Sequence, residues 1–201
     1  MKYNPFNPNS VVSTNLFAGR TNYVLRIIRK LEQVKKGMSS SFFLCGERGI
    51  GKTALAKLIM YIAENKNVEL GNLNFLVSYY SADKEQSINT VLQSSLNELT
   101  DKISESLLDT LGKKLGSLLK NGKFSIGAFS VELQSAEEKT IAVRDQLISI
   151  LSNLIEAIKN EQNDKKKDGI LIVVDEMQNV GDIESCAQLF RGIIQLWMLK
   201  T

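Results

Sequence analysis

Two groups of residues in this chain have the types and spacing to handle phosphate. Gly46-Glu47-Arg48-Gly49-Ile50-Gly51-Lys52-Thr53 sets glycines, a lysine and a hydroxyl residue in the order G-x-x-x-x-G-K-[ST]. Glycine lets a backbone wrap an anion closely, so that successive N–H groups and a helix N-terminus point at its oxygens. Lys52 would reach the terminal phosphates, the Thr53 hydroxyl would ligate Mg2+, and Ala54 would carry the loop into its helix. The second group, Asp175-Glu176, ends the apolar run Ile170-Leu171-Ile172-Val173-Val174. Asp175 suits a Mg2+ shell, and Glu176 suits orienting and polarising an attacking water. Phosphate loops and carboxylates meet at the C-terminal edge of parallel sheets, so the two groups can converge on one ligand.

Positioning them requires strands that end at the same edge and helices that cover both faces. The apolar-centred run Ser41-Phe42-Phe43-Leu44-Cys45 predicts a strand buried on both sides, entering the glycine loop. A helix over 52–65 follows, with Leu55, Leu58, Ile59 and Ile62 inward, and Leu73–Tyr80 is a second strand reached by a right-handed crossover. Ahead of the loop, 22–36 has the periodicity of an amphipathic helix, with Val24, Leu25, Ile28, Leu31 and Val34 on one face and Gly37 as its stop. Apolar residues at spacings of three and four predict a long helix over 84–119, continuous or broken near Gly112 or Gly116. Gly122–Leu133 alternates like a small hairpin, and 135–160 is again helical, with Ile141, Leu147, Ile148, Leu151, Leu154, Ile155 and Ile158 inward. Ile170–Val174 is a buried strand, and 183–199 is a last amphipathic helix. Lys165-Lys166-Lys167 reads as a solvated loop or a phosphate-binding patch.

Composition bounds the chemistry. The chain has 201 residues, 43% of them hydrophobic and 23% charged, with 2 prolines against 13 glycines. That suits one compact domain over 1–201 rather than a disordered or fibrous protein. With no histidine, His-dependent triads, His-ligated zinc and imidazole proton shuttles are excluded. Cys45 and Cys186 lack any C-x-x-C spacing, which indicates neither a zinc ribbon nor a disulfide framework and fits a reducing, cytoplasmic setting. A net charge of +3 argues only weakly for nucleic acid. Neither a signal peptide nor a membrane-spanning run is read in the sequence.

These motifs resemble those of the P-loop NTPases, in the branch where a glutamate follows the Walker B aspartate. Asn4-Pro5-Phe6-Asn7-Pro8 and Phe17-Ala18-Gly19-Arg20, set before a helix and the Walker A strand, look like the AAA+ ATPases related to origin-recognition initiators and to STAND signalling ATPases. The resemblance implies a three-layer α/β core with a parallel sheet, ATP and Mg2+ as ligands, Lys52 and Glu176 in catalysis, and Thr53 and Asp175 at the metal. It implies nucleotide contacts along Gly46, Glu47, Arg48, Gly49, Ile50, Gly51, Lys52, Thr53 and Ala54. The arm over 1–21 would lie against the base, with Val11, Val12 and Phe17 as candidates for adenine contact, Phe17 reading more readily as plain packing. Arg20 matches the family arginine, although Thr21 and Asn22 stand where an acidic residue commonly follows. Gln178 and Asn179 are open to sensing the γ-phosphate, Asn179 also to capping a helix.

Relatives continue beyond the Walker B helix into a sensor strand, an arginine finger, a further strand and a helical lid. The expectation is therefore a C-terminally truncated core, or a chain whose gap is closed some other way, with the gap in its sheet between Phe43 and Ile172, which direct pairing of those strands would refute. Loss of a finger costs roughly 10³-fold or more in rate, so weak or absent hydrolysis is expected of the chain alone. Arg191 reads as an ordinary surface or packing residue rather than a finger. The function implied is ATP binding and hydrolysis that drives or times a conformational change. The alternatives are a nucleotide-dependent interaction switch with negligible turnover, working through a protein partner or self-association, and a DNA-associated loader.

Overall fold

The computed structural model describes residues 20–65, 72–108, 111, 140–161 and 166–181. Helix α1 (Thr21–Lys35) and helix α2 (Lys52–Ala63) precede strand β1 (Phe75–Ser81) and helix α3 (Ile88–Asp101). Helix α4 (Thr140–Lys159), strand β2 (Gly169–Asp175) and a 3-10 turn (Met177–Asn179) follow. The two strands pair in parallel, Phe75 with Gly169 through Ser81 with Asp175. The arm with Val11, Val12 and Phe17, the hairpin expected over 122–133, and the last helix with Cys186 and Arg191 lie outside the described residues.

Alternation along the strands divides the interior into two cores, one on each side of the sheet. Phe75, Val77 and Leu171 meet Val24, Ile27, Ile28 and Leu31 of α1 and Leu55, Leu58, Ile59 and Ile62 of α2. Leu76, with Ile170 and Ile172 packed alongside, meets Leu92, Leu96 and Leu99 of α3 and Ile150, Leu151, Leu154 and Ile158 of α4. Helices on both faces of a parallel sheet make the three-layer α/β arrangement that the sequence predicts. Each fully buried Ile or Leu contributes about 1.5–3 kcal/mol of transfer free energy, so these layers hold the site in place.

Register is fixed at the N-terminal ends of the strands by a polar staple. Asn74 N–H donates to the Asp168 carboxylate at 2.8 Å and Asp168 N–H donates back to the Asn74 carbonyl at 2.7 Å. Lys35 pairs with Asp168 at 3.1 Å, and Lys167 Nζ donates to Asn74 Oδ1 at 2.8 Å. Lys167 therefore ties down a strand end, far from the phosphate role weighed for the lysine run. Gly169 opposes Phe75 so closely that a Cβ there would lie 3.0 Å from the ring, so any larger residue would have to push the ring aside. A slip of one residue would turn each side chain to the wrong core.

Several expectations are corrected. Ser41–Cys45 forms no strand: its backbone is irregular, Phe43 is 67% exposed and Cys45 is exposed, while Phe42 and Leu44 pack on the α1–α2 core. Among the described residues no strand pairs with it or with the second edge of β2, so nothing organises its backbone into a ladder. Phe43 and Ile172 do not pair, and with no strand at Ser41–Cys45 there are not two strands for the expected gap to separate. In α1 the buried face takes Ile27, whereas Leu25 is 39% exposed. The long helix starts at Ile88, capped by Ser87 Oγ accepting from Thr90 N–H at 3.2 Å, and α3 ends at Asp101, before either glycine proposed as the break.

Candidate nucleotide site

At the C-terminal edge of the sheet the loop over 46–51 leads into α2. Gly51, the residue before the helix, has φ +89°, and a Cβ there would lie 3.3 Å from the Arg20 guanidinium. Left-handed backbone and close approach together call for glycine. Arg20, immediately before α1, donates to the carbonyls of Gly51, at 3.2 Å, and of Ile50. One guanidinium thus fastens the base of the loop to the start of α1, a job its planar fork of donors suits. Lys52 Nζ donates to the carbonyls of Gly46 at 2.9 Å and Glu47 at 3.0 Å, so the lysine lies folded along its own loop. Glu47, Arg48 and Ile50 are exposed, and Gly51, Lys52, Thr53 and Ala54 are half-buried.

Thr53, in the first turn of α2, reaches β2: its hydroxyl donates to Asp175 Oδ2 at 2.7 Å. The same oxygen accepts the Tyr79 phenol at 2.9 Å, and Oδ1 accepts the Glu176 backbone N–H at 2.9 Å. Burial pushes the Asp175 carboxyl upward, but the hydrogen bonds from Thr53, Glu176 N–H and Tyr79, with the charge of Lys52, outweigh it and leave the group below its ordinary value. Tyr79 is pushed up from 10.0 to about 12, first by burial, then by its bond to Asp175 and by the charges of Asp175 and Glu176. A hydroxyl and a carboxylate oxygen 2.7 Å apart are hard donors of the kind Mg2+ takes, when phosphates and water complete its shell. The donor set fits the ion.

Glu176 breaks from the strand with φ +53°, which turns its side chain out into solvent. Gln178 Nε2 donates to the Glu176 carboxylate. Asn179 instead donates to the Ala82 carbonyl at 2.8 Å, tying the loop after β2 to the end of β1. The helix that Asn179 would cap, over 183–199, lies outside the described residues. The fold therefore gathers the expected Arg20, Lys52, Thr53, Asp175 and Glu176 at one edge, while Val12 and Phe17 lie outside the described residues.

Comparison with family models finds a match to the AAA ATPase domain over residues 16–193. The chain belongs to that family. AAA ATPase domains bind nucleotide, and the parallel strands flanked by helices agree with that fold. No curated protein and no solved structure matches the chain. No helix among the described residues is long and apolar enough to cross a membrane.

One residue of this AAA ATPase domain escapes sequence reading. Tyr79 looks like an ordinary strand aromatic, and its meeting with Asp175 depends on a register that pairs it with Val173. The available signal is the alternation Phe75, Val77, Tyr79, which puts a hydroxyl on the face and at the end of the strand where the carboxylate stands.

Proposed function

We propose that this chain binds ATP with Mg2+ at the edge formed by Gly46–Thr53 and Asp175, and hydrolyses the nucleotide to drive or time a conformational change. The observation that carries the reading is the Thr53–Asp175 hydrogen bond of 2.7 Å, which brings the two motifs to one point. The loop N–H groups and the start of α2 would cradle the phosphates. Lys52 would exchange the carbonyls of Gly46 and Glu47 for phosphate oxygens. Thr53 and Asp175 would hold Mg2+, which when bound neutralises charge on the β- and γ-phosphates. Glu176, freed from Gln178, would accept a proton from water and aim its oxygen at the γ-phosphorus. Arg20 would keep the loop in shape beneath the nucleotide, with Val12 and Phe17 of the arm beside the base.

A second reading has a specific observation behind it. Lys52 is bound by its own loop and Glu176 by Gln178, so both groups that would act in hydrolysis are engaged within the chain. That favours a nucleotide-dependent switch with little turnover, in the manner of STAND-type ATPases, acting through a protein partner or self-association in the cytoplasm. The likeness to origin-recognition initiators makes a DNA-associated role the weaker alternative, since the net charge is only +3.

Substitution separates the steps. Lys52→Ala is expected to abolish ATP binding, whereas Glu176→Gln is expected to retain binding and lose any phosphate release. Undiminished affinity in the lysine variant would overturn the assignment.

A further inference from the structure

Three donors from three separate segments converge on the Asp175 carboxylate: Thr53 from α2, Tyr79 from β1, and the Glu176 N–H from the loop after β2. Two of them are expected of this kind of site; the tyrosine is not. From it we infer that Tyr79 is a positioning residue for magnesium, holding the Asp175 carboxylate in the orientation in which it accepts the Thr53 hydroxyl. The inference rests on the Mg2+–ATP reading above.

The geometry gives Tyr79 this capacity at both of its ends. Tyr79 stands opposite Val173, and Asp175 lies two residues further along the same face, so the ring spans the diagonal between strands. Its phenol closes on Oδ2, the oxygen that also receives Thr53. Thr53 on Oδ2 and the Glu176 N–H on Oδ1 leave the carboxylate some rotation about its Cβ–Cγ bond, and Tyr79 adds a second restraint on Oδ2. The Tyr79 bond opposes that rotation. The Thr53 proton thus stays directed at Oδ2, and the lone pairs of the Thr53 oxygen stay available to a cation.

Tyr79 is itself anchored from outside the sheet. Its backbone N–H donates to Glu98 Oε2 at 2.7 Å, and Lys102, paired with Glu98 at 2.8 Å, donates to the Val77 carbonyl at 2.7 Å. Side chains of α3 and of the residue that caps it thereby occupy the outer edge of β1 where a further strand would pair. Two backbone groups of that edge, the Tyr79 N–H and the Val77 carbonyl, are occupied in this way, and the strand carrying Tyr79 is tied to the helix. Outer-sphere partners of metal ligands typically set affinity by 10-fold or more.

The test measures binding of a fluorescent ATP analogue to the full chain, in EDTA and across a Mg2+ series, for the wild type and Tyr79→Phe. Equal affinities in EDTA are expected, with the half-saturating Mg2+ concentration raised roughly tenfold in the variant. A variant with the wild-type Mg2+ dependence overturns the role of Tyr79 while leaving ATP binding intact. A wild-type chain that binds the analogue under neither condition overturns the ATP reading and this inference with it. A second measurement does not depend on the folding of the Phe variant: the near-ultraviolet spectrum of Asp175→Asn against the wild type. A tyrosine difference band is expected from the altered phenol hydrogen bond, and its absence overturns the proposal.

Discussion

Thr53 and Asp175, 122 positions apart in the chain, share a hydrogen bond of 2.7 Å between hydroxyl and carboxylate. The bond joins the first turn of α2 to the end of β2 and so fuses two otherwise separate motifs into one site. Thr53→Ala removes the donor together with the hydroxyl proposed to hold Mg2+. ATP affinity in EDTA is expected to change little, whereas the gain on adding Mg2+ should fall about tenfold, the scale of a hydrogen bond to a charged group. Titrations with and without the metal measure both quantities on one preparation.

Arg20 supports the loop from below through the carbonyls of Ile50 and Gly51. Arg20→Ala leaves those carbonyls to water and the loop without its brace, so nucleotide affinity should drop by roughly three- to tenfold, on the scale of about one hydrogen bond. Arg20→Lys is expected to recover little, because an ammonium on a flexible stem lacks the fork that spans two acceptors. Calorimetry on the three proteins decides it; an unchanged affinity in the alanine variant would remove Arg20 from the site.

Gly169 tests the register on which the site depends. A methyl group there meets the Phe75 ring at 3.0 Å and Val34 at 3.5 Å, so Gly169→Ala is expected to destabilise the chain by about 1–3 kcal/mol through overpacking. Urea denaturation gives the value. A loss below about 0.5 kcal/mol would show that the strand ends have room to shift.

Sequence reading reaches the parts of this molecule whose instructions are local. Gly46–Thr53 and Asp175-Glu176 stand out as candidates because their spacing is local, and α2 begins at Lys52, where the motif puts it. Parts that depend on distant partners were not legible. Ser41–Cys45 has the composition of a strand, but a strand needs a neighbour and none among the described residues supplies one. The helix over 84–119 reads as continuous, or as broken only near Gly112 or Gly116, because its apolar spacing persists. It nonetheless stops at Asp101, where the adjoining Lys102 turns its ammonium to Glu98 and to the Val77 carbonyl. Tyr79 and Arg20 act through contacts with Asp175 and the loop carbonyls, which only the folded register reveals.

The titration behaviour of Tyr79 and Asp175 bears on stability at opposite ends of the pH range. Tyr79 titrates at about 12 in the folded chain against 10.0 ordinarily, so its contribution is complete below pH 10.0 and is lost as pH rises toward about 12. The stability advantage of wild type over Tyr79→Phe should therefore shrink across that window. Asp175 lies below its ordinary 3.8; its contribution is complete above that value and is lost as pH falls through the lowered one. Asp175→Asn should flatten that acid limb. Urea midpoints taken along both limbs provide the comparison, and parallel profiles for wild type and variants would contradict it.

The central claim, that the two motifs form one nucleotide site, is tested most directly by calorimetric titration of ATP into the 201-residue chain, with Mg2+ and with EDTA, while phosphate release is followed in the same samples. One-to-one binding that strengthens with Mg2+ is the expected result, and the phosphate released distinguishes a hydrolase from a switch with little turnover. Absence of ATP binding under both conditions would contradict the account.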